Sequence, residues 1–370
     1  MSPFHELWRQ RADNPSPGGR GGAKYPRTPS KTGVSVKSRV ALIKGPDRYR
    51  NITQALECIG EEIKLPPDGL LIKPNFVSTT NQLAATHVEA VRALLDFLGS
   101  RYGGSITIGE GASLTDTFEG FRVFGYEPLI EEYGVRLVDL NRDRWVKVEV
   151  YDRNLAPLEL RLAKTAWESP YRISIGPPKT HDAVIITLSL KNMIMGSLIR
   201  DQRNNALFHT LSRVTPSWVK RAPSLEGLKR DVSTTVLRSD KFAMHQGYPA
   251  INLNLYTLAK YIAPHLSIID GFLGMEGPGP SDGEPVELQV AIASTDFLAA
   301  DTVAAKLMGY GIDQIGYLYY CKSKGLGVGD LEKIEIVGNA HLEDCIRPFR
   351  PHPTYHQQLR WQIQNFERFL

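Results

Sequence analysis

The sequence predicts an α/β protein, with mostly parallel sheets covered by helices and a smaller antiparallel hairpin region. Three observations point there. Short apolar runs alternate with segments of helical period from about residue 38 to 340, the pattern of a parallel sheet covered on both faces. Several of those runs stop in polar or glycine-rich residues, which is where open α/β sheets bind ligands. Between 140 and 172 the pattern changes to strict alternation, as in a half-exposed hairpin.

The elements follow in order. Val40 to Ile43 reads as a strand and 51–63 as an amphipathic helix. Gly69 to Lys73 is a second strand, stopped by Pro74. Val88, Val91, Leu94, Leu95 and Leu98 recur at helical spacing, and Thr86 with Glu89 reads as a capping box for that helix. Residues 105–109 form a strand, 117–132 helical segments, and 135–139 another strand. Trp145 to Val150 and Leu158 to Leu162 alternate as a hairpin. An apolar run through Val184, Ile185, Ile186 and Leu188 predicts a buried strand between His181 and Lys191. Residues 200–248 read as a long polar excursion, a lid or subunit contact. Beyond it come a helix over 250–262, a strand over 266–270 and a glycine-rich loop over 271–283. A strand at 286–292, helices at 297–308 and 313–323 and a strand at 333–337 complete the region. Asp296 is placed to cap helix 297–308.

The domains expected are a basic arm over 1–38, the α/β region over 39–340 as one body or two lobes, and a tail over 341–370 with a short helix. The arm holds seven Lys/Arg against Glu6 and Asp13, so the other 332 residues are near neutral within a net charge of +4. Its Gly, Pro and Ser content predicts disorder. It has no apolar stretch of the kind a secretory signal needs. The small net charge does not by itself argue for nucleic acid or a membrane, so neither is an expected partner, and no segment has the length of a membrane span. Cys58, Cys321 and Cys345 are far apart, which suits a reducing cytoplasm and excludes a CxxC metal motif.

Several strands bring polar groups to what would be one sheet edge. Lys73, Asn75 and Glu110 follow two of them, Lys191 and Asn192 a third, and Asp270 with Gly277 and Gly279 a fourth. Lys191 ends an apolar run, where desolvation lowers an ammonium pKa and makes a base or nucleophile near neutral pH. The same lysine could instead snorkel to solvent. His181, on the other side of the run, is the matching proton carrier. His181, His209 and His245 are the histidines to weigh as ligands of a divalent metal, although none has the i, i+4 spacing of a helical metal pair. The 271–283 loop lacks Gly-Lys-Ser/Thr, so it is no Walker A loop, but its glycines let backbone amides approach an anion. Lys73, Asn75, Glu110, Asn192, Asp270, Gly277 and Gly279 are therefore the expected substrate binders.

Seven motifs in order resemble the family catalogued as domain of unknown function 362, over roughly residues 38–340. They are Lys73-Pro74-Asn75, Thr86-His87, Gly109-Glu110-Gly111, Lys179-Thr180-His181, Leu190-Lys191-Asn192-Met193, Asp270-Gly271 with Glu276-Gly277-Pro278-Gly279-Pro280, and Ser294-Thr295-Asp296 with Asp301. Many members of that family carry a ferredoxin-like cysteine cluster. This sequence has none, so no cysteine-ligated iron–sulfur cluster is expected. More distantly, His181 and Lys191, ten positions apart around an apolar run, resemble a segment of the nickel-dependent lactate racemase family. There the lysine holds a nickel-pincer cofactor derived from nicotinic acid, and histidines ligate the metal or move protons. Where that family has a glycine pair before the lysine, this sequence has Ser189-Leu190, a departure beside the point of attachment.

Three functions are open at this point. The first is a cytoplasmic enzyme, a lyase, isomerase or oxidoreductase, acting on a small anionic molecule by lysine/histidine acid–base chemistry. The second is a metal-binding or electron-transfer-associated protein. The third is a non-catalytic binding module, in which the arm and the excursion would contact a partner. A homo-oligomer is compatible with all three.

Overall fold

The computed structural model describes residues 37–113, 115–201 and 239–369. Its strands are β1 (Ser38–Lys44), β2 (Leu70–Lys73), β3 (Ile106–Glu110), β4 (Arg136–Asp139), β5 (Trp145–Tyr151), β6 (Pro157–Ala163), β7 (Tyr171–Gly176), β8 (Lys179–His181), β9 (Ile185–Thr187), β10 (Leu266–Glu276), β11 (Glu284–Ser294) and β12 (Ile334–Gly338). The main sheet runs β12-β1-β11-β10-β7-β2-β3-β4, with β8 and β9 attached to β10. Only β11 runs against its neighbours along that path; every other pair is parallel. β5 and β6 form a separate antiparallel hairpin. The expected architecture is therefore the one observed.

Alternation along the strands builds two cores. Val40 and Leu42 of β1 join one core, while Ala41 and Ile43 join the other. In β11, Val290 and Ile292 face the first, and Ala291 and Ala293 the second. Helices Tyr248–Ile262, Phe297–Leu307 and Gly316–Ser323 bury their apolar side chains in the first core; helices Arg48–Cys58 and Val88–Gly99 do so in the second. The β5–β6 hairpin turns Val148, Val150, Leu160 and Leu162 inward, and Lys147 meets Glu159 outside at 2.8 Å.

Three local expectations are corrected. The apolar run after His181 is not one strand of the parallel sheet. It folds back: β8 pairs with β9 antiparallel, His181 opposite Ile185, and only Lys179 pairs with β10. The chain makes this turn with Ile185 at φ +70°, rare for a β-branched residue and invisible to hydropathy. Much of the expected 271–283 loop is strand, because β10 runs on to Glu276 through an irregularity between Gly271 and Leu273 and keeps its pairing with β11. The cap of helix Val88–Gly99 is His87, whose Nδ1 accepts from the Glu89 amide at 3.2 Å. The Thr86 hydroxyl instead bonds Ile175 O and the Asn75 amide, joining β7 to the segment after β2. Asp296 caps helix Phe297–Leu307 as expected.

The basic arm, apart from Lys37 and Ser38, and residues 202–238 of the excursion, with His209, lie outside the described residues. All described residues belong to one compact unit. Among the described residues no helix is long and apolar enough to cross a membrane.

Candidate active site

The carboxyl ends of β2, β3 and β7 lie side by side, because Lys73 pairs with Ser174 and Ile72 with Ile108. Lys73, fully buried, ends β2, and Glu110, also buried, ends β3. The two form an ion pair, and the Lys73 ammonium also donates to Pro74 O at 2.7 Å and Asn192 Oδ1 at 3.2 Å. Asn192 Oδ1 accepts from Asn75 Nδ2 at 3.0 Å, and Asn75 Oδ1 accepts from the fully buried Lys179. Lys179 also donates to Ala84 O at 3.0 Å. Burial pushes Lys179 down to about 7, helped by the charge of Lys191. Four of the expected binders, Lys73, Asn75, Glu110 and Asn192, thus meet in one closed network.

Lys191 stands next to it, in the first turn of the helix Ser189–Ser197 rather than at a strand tip. Asp301 orders that helix start. Its carboxylate accepts the amides of Ser189 at 2.9 Å and Leu190 at 3.1 Å, and burial raises it to about 7. At the other end, Lys241 donates to Met195 O at 2.9 Å and to Leu198 O, a cation on the carbonyl end of a helix. The Lys191 side chain is 5% exposed, and among the described residues its ammonium has no hydrogen-bond or ion-pair partner. Burial lowers it to about 8, against the pull of Asp182.

Two imidazoles share that space. The rings of His181 and His245 stack, with centroids 6.1 Å apart and planes 18° from parallel. His245 Nδ1 lies 2.8 Å from Lys241 O, which can only accept, so Nδ1 carries the proton and Nε2 keeps a lone pair. His181 Nδ1 faces the Ala183 amide and Asp182 Oδ1, both at 2.9 Å. A proton on Nδ1 suits Asp182; a lone pair there suits the amide. The neutral ring therefore has a partner in either tautomer. Burial and Lys191 push His181 down to about 3, and burial lowers His245 as well, so both rings are neutral at pH 7. Desolvation pushes the Asp182 carboxyl up, but its side chain is 55% exposed and His181, His245 and Lys191 outweigh that effect, so it stays ionised. Ligand atoms of His181, Asp182 and His245 all lie within 4.8 Å of one another. Two imidazoles and a carboxylate are a donor set that suits first-row divalent metals.

Three expected binders are used elsewhere. Asp270, midway along β10, is paired with Arg48 at 3.1 Å, and Arg48 also covers the Phe272 ring. Gly277 O accepts the Thr180 hydroxyl at 2.9 Å. A Cβ on Gly279 would collide with Thr180 O, so glycine lets this loop lie flat on β8. Residues not foreseen are Lys179, Lys241, Asp182 and Asp301. Lys179 and Asp301 stood inside recognised motifs. Nothing along the chain marked Lys241, or Asp182 beside His181, because the helix end that Lys241 meets and the second imidazole, His245, are brought in by folding.

The chain matches the family described as Domain of unknown function (DUF362) over residues 70–306, a stretch that includes every residue of this cluster. It belongs to that family. A curated relative, named a thylakoid-associated protein of Synechocystis sp., is 24% identical over 263 residues, which is 70% of this chain and 68% of the relative. Among solved structures, the lactate racemase apoprotein from Thermoanaerobacterium thermosaccharolyticum aligns at a TM-score of 0.39 and 14% identity, covering 74% of this chain and 57% of that one. A protein from Thermotoga maritima aligns at 0.38 and 12%, covering 63% and 52%. The chain thus spans a little over half the length of these two solved structures.

Proposed function

We propose that the chain is a cytoplasmic enzyme that moves a proton on a small carboxylate. The observation that carries this reading is Lys191, a 5%-exposed lysine whose ammonium has no hydrogen-bond or ion-pair partner among the described residues, beside two neutral imidazoles. A point charge of this kind suits a carboxylate, and its burial strengthens the attraction. A substrate held there would meet the Nε2 lone pair of His245, a base ready to take a proton next to a carbonyl. His181, with two satisfied tautomers, would carry a proton to or from Asp182. Lys73, Glu110, Asn75, Asn192 and Lys179 would form the rigid polar wall that holds Lys191 and its helix in place.

A second reading is favoured by the close approach of His181, Asp182 and His245. These residues would hold a divalent metal ion, and the bond from His245 Nδ1 to Lys241 O is of the kind that orients a metal-binding imidazole. Such an ion would polarise a substrate oxygen, leaving Lys191 to hold the carboxylate.

One preparation tests both. The protein, purified without chelator, is incubated in D2O with a panel of small 2-oxo and 2-hydroxy carboxylates, and NMR follows loss of the proton next to the carbonyl or carboxylate. The expected result is exchange with at least one compound, lost by about 100-fold or more in a folded Lys191→Met variant. No exchange with any compound, with or without added divalent metal, would count against the enzyme. Elemental analysis of the same sample separates the readings: about one metal per chain, lost in His245→Ala, favours the second.

A further inference from the structure

We propose that the C-terminal segment is a working part of the site, with Gln358 as the positioning residue that holds the His181–Asp182 turn. This rests on the reading of His181 and Lys191 as the reacting centre. The segment lies beyond residues 70–306, so it is contributed from outside the family-matched region.

The β8–β9 hairpin has two strands of three residues each, too short to fix its own end. Its paired terminal residues are His181 and Ile185, and Ile185 has an unfavourable positive φ. Gln358, 1% exposed, fits between them. Its Nε2 donates to His181 O at 2.8 Å, and its Oε1 accepts the Ile185 amide. The side-chain amide thus serves as one more rung of the ladder. Four residues earlier, Thr354 donates its hydroxyl to Asp182 O at 3.0 Å and accepts from Gln358 Nε2 at 2.8 Å. The carbonyls of both site residues are therefore held by the tail.

The tail is fixed on either side of this clamp. Upstream, the Phe349 amide bonds Met308 O at 2.9 Å, and Arg350 O accepts the Gly277 amide at 2.7 Å. Downstream, the buried Trp361 donates to Gln314 O at 2.8 Å. An apolar side chain would fill the place of Gln358 as well. It would leave His181 O and the Ile185 amide buried without partners, which is costly and frees the turn. A glutamine is needed only if the turn's backbone has to be held.

The experiment uses the full chain with labelled histidine, the His181 signals being assigned with a His181→Gln variant. In the wild type the His181 ring should give one sharp set of signals at pH 7. In Gln358→Met those signals should shift and broaden, because the His181–Asp182 turn, freed of its buried backbone partners, samples more than one position. Proton exchange should fall at least 10-fold while the protein stays folded. If Gln358→Met does not fold, Thr354→Val takes its place, and Thr354→Ser should restore the wild-type signals. Unchanged His181 signals and unchanged exchange in these variants would overturn the proposal and leave the enzyme reading standing. Shifted His181 signals in a protein whose wild type catalyses no exchange would keep the clamp and remove the enzyme reading.

Discussion

At the residue scale, Lys191 poses a conflict between stability and use. Burying an ammonium costs free energy, and among the described residues the half-exposed Asp182 is the group that offsets that cost for Lys191. Replacing it with Met keeps the volume and removes the charge. Lys191→Met should therefore be more stable than the wild type at pH 7, by ~1–3 kcal/mol if a fall from the usual lysine value to about 8 reflects the burial cost. Urea unfolding of the two proteins checks this; a variant less stable than the wild type would mean that the ammonium has a favourable role in folding. Other residues of the site show what a sequence can reveal. Lys73, Asn75 and Glu110 were legible because each sits at the end of an apolar run, and Lys191 and His181 because they flank one. Asp182 and Gln358 were not. Asp182 matters through two histidines, one of them more than 60 positions away. Gln358 matters through two backbone groups that lack partners only once the hairpin has formed.

At the element scale, the helix Ser189–Ser197 is the piece on which the site is built. Asp301 holds its first amides and Lys241 its last carbonyls; Ser174 Oγ donates to Ser189 O at 2.9 Å, and Asn192 reaches the Lys73–Glu110 pair. Gly196 lets the helix lie directly against that pair. A Cβ there would fall onto the end of the Lys73 side chain and close to Glu110. Lys73 is fully buried and bonded on three sides, so it has nowhere to withdraw. Gly196→Ala should therefore destabilise the protein by ~2–4 kcal/mol, much more than the same change in an exposed helix, where it would stabilise. Chemical denaturation decides it, and a shift under about 0.5 kcal/mol would show that the helix can move away from the pair. Most elements of this architecture were legible, since hydrophobic period reports strands and helices well. The β8–β9 fold-back was not. Its run is as apolar as a parallel strand, and the turn rests on Ile185 in a strained conformation and on a tail that arrives 170 residues later. The glycines of 271–283 misled for a related reason: in β10 they serve close packing, as where Gly274 meets Phe349, rather than a free loop.

At the scale of the whole molecule, the sheet edge gathers an excess of buried positive charge. Lys179 and Lys241 are pushed by burial to about 7, and Lys191 to about 8, whereas Glu110 is the acid paired directly with a lysine there. The sign of the consequence follows from proton counts. In the unfolded chain these lysines keep their protons until about pH 10.4, while in the folded protein they release them between pH 7 and 8. The unfolded state therefore binds more protons across that window, and stability rises with pH. Each lysine adds at most ~1.4 kcal/mol per pH unit once its folded form is neutral. Above pH 10 the unfolded lysines also lose their protons. Unfolded tyrosines then ionise, while burial holds Tyr171, Tyr256 and Tyr320 at about 12 in the fold, so stability falls again. Asp301, raised to about 7, contributes at low pH and has lost that contribution by neutrality, so it does not oppose the alkaline rise. Most proteins are most stable between about pH 5 and 8. This one should gain stability from pH 7 to about 9.5, by a few kcal/mol in urea unfolding. The Lys191→Met variant should show a shallower rise, because one of the three contributors is gone. A stability that falls steadily from pH 7 would mean that these ammonium groups remain charged in the fold. Lys191 would then still hold an anion, but it would no longer be an amine poised to gain or lose a proton near neutral pH.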